Sequence, residues 1–215
     1  MWPSTFNLSS LTTFFPKAGK QRLSFRKKQV VFSQGDPNDS IFFIEIGTVK
    51  LTAVSRHGKE AIFAVLNRGC FFGETCIASD KPARSHNAVA LSDVRAAKIE
   101  RDVFVKSLQS GGSGAYAFIE YLLRLHENSQ EQLIHNLLDS SEKRLARALL
   151  SLAKLSDENK ANRALPVSQQ NLGDMIGATR QRVNSLLKGF RKSGFIDYAN
   201  GLRVHGSLRE VAGKD

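Results

Sequence analysis

Phe72-Gly73-Glu74 is followed, ten residues after the glutamate, by Arg84-Ser85, a grouping whose residue types suit an anionic ligand that also carries a sugar. A guanidinium can neutralise a phosphate through a charge-assisted fork, while a serine hydroxyl and nearby backbone N–H groups supply short hydrogen bonds. A carboxylate cannot help an anion, so Glu74 beside the arginine implies a sugar hydroxyl as the second element recognised. Gly73 permits close backbone approach, and Thr75 is counted with the set. Taken singly, each is an ordinary surface residue; the joint spacing is what points to a ligand.

A second constellation begins at Ser168. Leu172, Met175 and Ile176 give one short helix its buried face, and Val183, Leu186, Leu187 and Phe190 give the next one theirs. Gly177 falls between them and can take the left-handed turn that sets two short helices at a steep angle. Thr179 is placed to cap the second helix. With the apolar face inward, Arg180, Gln181 and Asn184 project from its first turns, where arginine matches guanine and the two amides match adenine. Gln169, Gln170, Thr179 and Lys188 are candidates for phosphate contacts.

The elements that must hold these groups show in the periodicity. Between Gln21 and about Ile99, runs such as Ile41-Phe42-Phe43-Ile44, Val49 to Val54 and Ala61 to Leu66 alternate with turn signals at Gly35 to Asp39, Gly47, His57-Gly58-Lys59, Asn67 to Gly69 and Ser79 to Pro82. That pattern predicts short antiparallel strands. Beyond Gly111-Gly112-Ser113-Gly114 the period changes. Ile119, Leu122/Leu123, His126, Ser129/Gln130, Leu133 and Asn136/Leu137 are spaced by three and four, the seam of a two-stranded coiled coil. The seam is polar in its middle, which costs stability unless those groups find partners. Asp139 with Glu142 resembles a capping box, so the long helix is expected to end near Leu138 and an amphipathic one to start at Ser140. The polar stretch 156–163 reads as a loop.

The chain of 215 residues carries a net charge of +11. From Ser140 onward 14 Lys/Arg face 7 Asp/Glu, so the basic excess is concentrated at the C-terminus and favours a polyanionic partner. No apolar run approaches the length that crosses a bilayer, and Met1 to Ser10 lacks the order of a secretory signal. The cytoplasm is the expected compartment, with Cys70 and Cys76 as free thiols. No nucleophile–base set or metal motif is present, so no catalytic or metal-ligating residue is assigned and the chain is not expected to be an enzyme.

With the cassette at Gly73–Ser85 and the helix-turn-helix at Gly177, the chain resembles the catabolite activator (Crp/Fnr) family of bacterial transcription regulators over nearly everything after Gln21. The Gly35-Asp36 turn, Ile46-Gly47-Thr48-Val49, Leu149 to Lys154 and Gly-x-Thr-Arg at Gly177 carry the same resemblance. It implies an α+β fold: an antiparallel cyclic-nucleotide-binding β-roll over 1–110, a dimerisation helix and hinge over 111–139, and a winged helix-turn-helix over 140–215. It also implies a homodimer on palindromic duplex DNA, with RNA polymerase as a further partner. Purine-reading positions fall at Ser129 and Gln130, next to Asn128. The best-studied members carry threonine and serine there, so cAMP is the expected ligand with cGMP open. Gln181 and Ser185 likewise replace a glutamate and an arginine of those members, so the half-site should differ. Arg84→Leu is expected to abolish the ligand response and spare the fold. The alternative is a family member sensing haem, through His86 or His126, or redox state, or one active without ligand; an iron–sulfur cluster needs about four thiolates, and the chain has two cysteines.

Overall fold

The computed structural model describes residues 20–56, 58, 60–78, 82–157, 167–197 and 202–213. Its contacts divide the chain into two units, meeting between Asn128 and Ser129.

The first unit is a β-roll followed by helices. Two four-stranded antiparallel sheets run in the orders β1-β8-β3-β6 and β2-β7-β4-β5. The strands of the first are β1 (Lys20–Phe25), β3 (Ser40–Ile46), β6 (Phe71–Phe72) and β8 (Val94–Glu100); those of the second are β2 (Val30–Phe32), β4 (Val49–Val54), β5 (Glu60–Leu66) and β7 (Asn87–Ala90). Strand β3 shows how the sequence drives this arrangement. Its side chains alternate between faces, and both faces are buried: Phe42 and Ile44 join the core between the sheets, while Ile41 and Phe43 join a second core. That second core is closed by Phe104 of α1 (Arg101–Gln109) and by Phe118 and Tyr121 of α2 (Ser113–Leu138). Burying each such aromatic contributes about 1.5–3 kcal/mol. The Tyr121 hydroxyl accepts from the Phe71 N–H at 3.0 Å and donates to the Phe71 carbonyl at 3.2 Å, fastening the start of the long helix to β6.

The second unit contains the end of α2, then α3 (Ser141–Asp157), α4 (Gln169–Ile176), α5 (Arg180–Lys192), the antiparallel hairpin of β9 (Ile196–Asp197) and β10 (Arg203–Val204), and α6 (Arg209–Ala212). Leu145, Leu149, Leu152, Leu172, Ile176, Val183, Leu187 and Phe190 are buried, as their periodicity requires. The break between α2 and α3 falls where expected, but its cap differs. Ser140 Oγ accepts from the Lys143 N–H at 3.3 Å, because the Asp139 carboxylate is taken by Arg147 at 3.1 Å and His135 at 3.2 Å. Helix α3 reaches Asp157, so the stretch 156–163 starts as helix. Residues 158–163 of that stretch lie outside those described, as do His57, Lys59 and 79–81 of the expected turns.

Candidate functional site

Arg84 is built into the β-roll by the turn that precedes β3. Its N–H donates to the Asp36 carbonyl at 2.8 Å, and its own carbonyl accepts from the Gly35 N–H at 2.9 Å. The side chain is 3% exposed. Four guanidinium hydrogen bonds surround it: Nη1 donates to Asn38 Oδ1 (2.7 Å) and the Gly73 carbonyl (3.1 Å), and Nη2 to the Ser40 carbonyl (2.6 Å) and Ser40 Oγ (3.0 Å). The guanidinium carbon sits 4.3 Å from the centroid of the Phe32 ring, a cation–π stack. Burial pulls the Arg84 pKa below its ordinary value, opposed by Cys76, Asp39, Glu74 and Asp36.

Gly73 is required twice over. Its φ of +77° is left-handed, and a Cβ there would lie 2.6 Å from Arg84 Nη1. The next residues, Glu74–Ile77, form a 3-10 turn holding Glu74 and Thr75, both half-buried. Burial pushes the Glu74 carboxyl above its usual range, against its own backbone N–H and the Arg84 charge. Ser85 is exposed, and its Oγ lies 3.0 Å from Nδ1 of the buried His86. Gly73, Glu74 and Arg84 are therefore brought into one electrostatic neighbourhood, with Ser85 at its edge.

The residues fit a phosphate-bearing ligand. Arg84 Nε is a buried donor with no hydrogen-bond partner among the described residues, and such a group costs about 1–3 kcal/mol unless an acceptor meets it. The other four N–H groups serve the protein, so the simple fork expected from sequence is already engaged by Asn38, Gly73 and Ser40. The thiols of Cys70 and Cys76 are buried, and burial pushes that of Cys76 up to about 11. Asn128 is half-buried on α2, its Nδ2 donating to the Arg124 carbonyl at 2.7 Å; Ser129 and Gln130 are exposed on the same helix.

In the second unit, Ser168 caps α4 by accepting from the Asn171 N–H at 3.1 Å, Gly177 takes φ +65°, and Thr179 caps α5 by accepting from the Arg182 N–H at 3.2 Å. Arg180, Gln181 and Lys188 are exposed along α5 and Asn184 is half-buried. Gln170 is exposed and pairs with Asp174 at 2.9 Å, while Gln169 is half-buried. Arg144, which the sequence pattern does not single out, donates to the carbonyls of Asn136 (3.2 Å), Asp139 (3.0 Å) and Ile176 (3.1 Å). One guanidinium thus ties the end of α2 to the end of α4.

Residues 22–110 match the cyclic nucleotide-binding domain family, and residues 143–206 match the Crp-like helix-turn-helix domain family. The chain is 29% identical over 183 residues to the CRP-like cAMP-activated global transcriptional regulator of Mycobacterium tuberculosis, covering 82% of this chain and 80% of that one. It is 24% identical over 191 residues to the cAMP-activated global transcriptional regulator CRP of Salmonella typhimurium, covering 88% of each. The fold is similar to that of the c-di-GMP responsive global regulator CLP of Xanthomonas campestris, with a TM-score of 0.76, 19% identity, and coverage of 93% of this chain and all of that one. Among the described residues, no helix is long and apolar enough to cross a membrane.

Proposed function

The chain belongs to the Crp/Fnr family of transcription regulators, with a cyclic-nucleotide-binding domain and a DNA-binding helix-turn-helix, and on that premise we propose that it is a homodimeric regulator whose grip on DNA is set by cAMP. The observation that carries the proposal is the enclosed Arg84 guanidinium with a spare buried Nε–H, beside the raised carboxyl of Glu74. A cyclic phosphate supplies the acceptor, and the ribose hydroxyl donates to Glu74. Gly73, Thr75 and Ser85 complete the phosphate end. Asn128, Ser129 and Gln130 are assigned to the purine. The curated relatives' names give cAMP, and cGMP differs from it only in the base, so the base-reading end is what the experiment must resolve.

The partner for α2 is a second copy of this chain. Tyr116, Ile119, Leu123, Leu133 and Leu137 are exposed by 72%, 54%, 60%, 59% and 74% and continue the three–four spacing through His126 and Gln130. That spacing is the one two supercoiled helices bury against each other. Two-fold symmetry then requires palindromic half-sites, read by Arg180, Gln181 and Asn184 with Gln169, Gln170, Thr179 and Lys188 on phosphates. Ligand binding biases the end of α2, and Arg144 carries that bias into the DNA-reading helices. A near-complete switch needs about 5.5 kcal/mol of preference for one arrangement. RNA polymerase is the further partner and the cytoplasm the compartment.

Calorimetry of the full chain with cAMP and with cGMP tests the reading. Saturable binding of cAMP, tighter than cGMP, is the expected result. An absence of heat and of saturation with either nucleotide at millimolar concentration overturns it.

A further inference from the structure

Beside the cassette lies His86, which the nucleotide reading does not use and which the sequence offered only to a haem sensor. His86 is 9% exposed, immediately before β7, held between the Phe32 ring (centroids 5.7 Å apart) and the Phe63 ring (5.2 Å, edge to face). Its Nδ1 lies 3.0 Å from Ser85 Oγ, and its Nε2 is buried without a hydrogen-bond partner among the described residues. Burial, reinforced by the nearby Arg84 charge, lowers its pKa, so at neutral pH the ring is the neutral imidazole with a single N–H.

The place of that one hydrogen decides what Ser85 can do. With the hydrogen on Nε2, Nδ1 is an acceptor and takes the Ser85 hydroxyl hydrogen. The serine then presents only lone pairs, which repel an anion, while a buried Nε2–H points at no acceptor. With the hydrogen on Nδ1, the ring donates to Ser85 Oγ and the hydroxyl hydrogen is free to turn outward. A buried unsatisfied donor is also the rarer of the two faults.

We propose that His86 is a positioning residue: it donates from Nδ1 to Ser85 Oγ and thereby fixes the Ser85 hydroxyl as a hydrogen-bond donor to the bound phosphate. The inference rests on the nucleotide reading above and deepens it. His86 touches Ser85, not the ligand, and the two packed rings hold its plane so that the hydrogen bond persists.

The test uses the full chain, cAMP and four variants: His86→Leu, His86→Asn, Ser85→Ala and the double variant Ser85→Ala/His86→Leu. The Asn amide can place an N–H where Nδ1–H stands, so it keeps the donor without the ring. His86→Leu is expected to weaken cAMP binding about tenfold, the scale of one hydrogen bond lost to an anion, and His86→Asn to restore affinity to within about threefold of wild type. In the Ser85→Ala background, His86→Leu should change nothing further. Nitrogen NMR of the wild-type imidazole, with and without cAMP, should show a protonated Nδ1 and a bare Nε2, a readout that needs no variant to fold. An Nε2–H tautomer, an equal loss in His86→Asn, or a loss that persists in the Ser85→Ala background overturns the inference while leaving nucleotide binding standing. A wild-type chain that binds no cyclic nucleotide refutes the ligand reading itself, and this inference with it.

Discussion

Replacing Arg84 by leucine should damage the β-roll before any ligand is added, contrary to the expectation from sequence that the fold is spared. Three buried acceptors lose the guanidinium: Asn38 Oδ1, the Gly73 carbonyl and the Ser40 carbonyl, on residues that are themselves buried. A fully stranded acceptor costs about 1–3 kcal/mol, so three would sum to roughly 3–9 kcal/mol; the Gly73 carbonyl keeps the Cys76 N–H at 3.2 Å, which draws the figure toward the low end. Removal of the guanidinium returns part of its own desolvation cost, so the lower end, about 3 kcal/mol, is the expected net loss. For a domain of about this size that lowers the Tm by roughly 10–20 °C. Thermal unfolding of wild type, Arg84→Leu and Arg84→Lys without nucleotide measures it. The lysine keeps the charge but cannot span the Asn38–Gly73 and Ser40 acceptors together, so it should fall between the other two. An Arg84→Leu protein that melts within about 2 °C of wild type would show that the guanidinium is not held inside.

Other outcomes follow from the same geometry. The Glu74 carboxyl is raised in the folded state, so its contribution to stability is complete below the free value of 4.5 and is lost as pH rises through the folded value. His86 runs the other way: its folded pKa is lowered, so its contribution is present above 6.5 and lost as pH falls through the folded value. The difference in stability between Glu74→Gln and wild type isolates the first effect; in the ligand-free protein it should move in the glutamine's favour as pH rises from 4.5 to 7, and a difference that does not change with pH refutes it. Arg180→Ala should cost about 1–3 kcal/mol on the best operator and relax preference at one base, whereas Lys188→Ala should weaken all duplexes alike and reduce the salt slope by about one; binding curves at several salt concentrations separate the two. Neither thiol should react with a disulfide reagent at pH 7 in the native protein, and both should react on denaturation. A fast native reaction would revive the redox alternative.

Much of this architecture is legible along the chain because it is periodic. The apolar run Ile41 to Ile44 between turn signals marks a strand, and the spacing of Leu172 to Phe190 sets both helices of the DNA-reading pair, with Ser168 and Thr179 at their starts. Local chemistry was also enough to single out Gly73 and Arg84. What could not be read are partners brought together by the fold. Asn38 and Ser40 stand 46 and 44 residues from the arginine they hold, and Tyr121 stands 50 residues from the strand it fastens. No spacing rule joins such positions. The cap at Ser140 was missed for a related reason: Asp139 has the right type, but Arg147 and His135 compete for its carboxylate. His86 gave a weaker signal still, as a lone histidine inside a strand pattern, and only its contacts with Ser85 and two rings show what it can do.

In the proposed regulator, nucleotide at the β-roll governs DNA binding by the second unit. Fluorescence anisotropy on a duplex selected from random sequence, with and without saturating cAMP, tests it at one salt concentration. cAMP should tighten binding by roughly 5–150-fold, the usual range of coupling between two sites, and the same duplex should tighten cAMP by the same factor. Equal DNA affinity at zero and saturating nucleotide would contradict it.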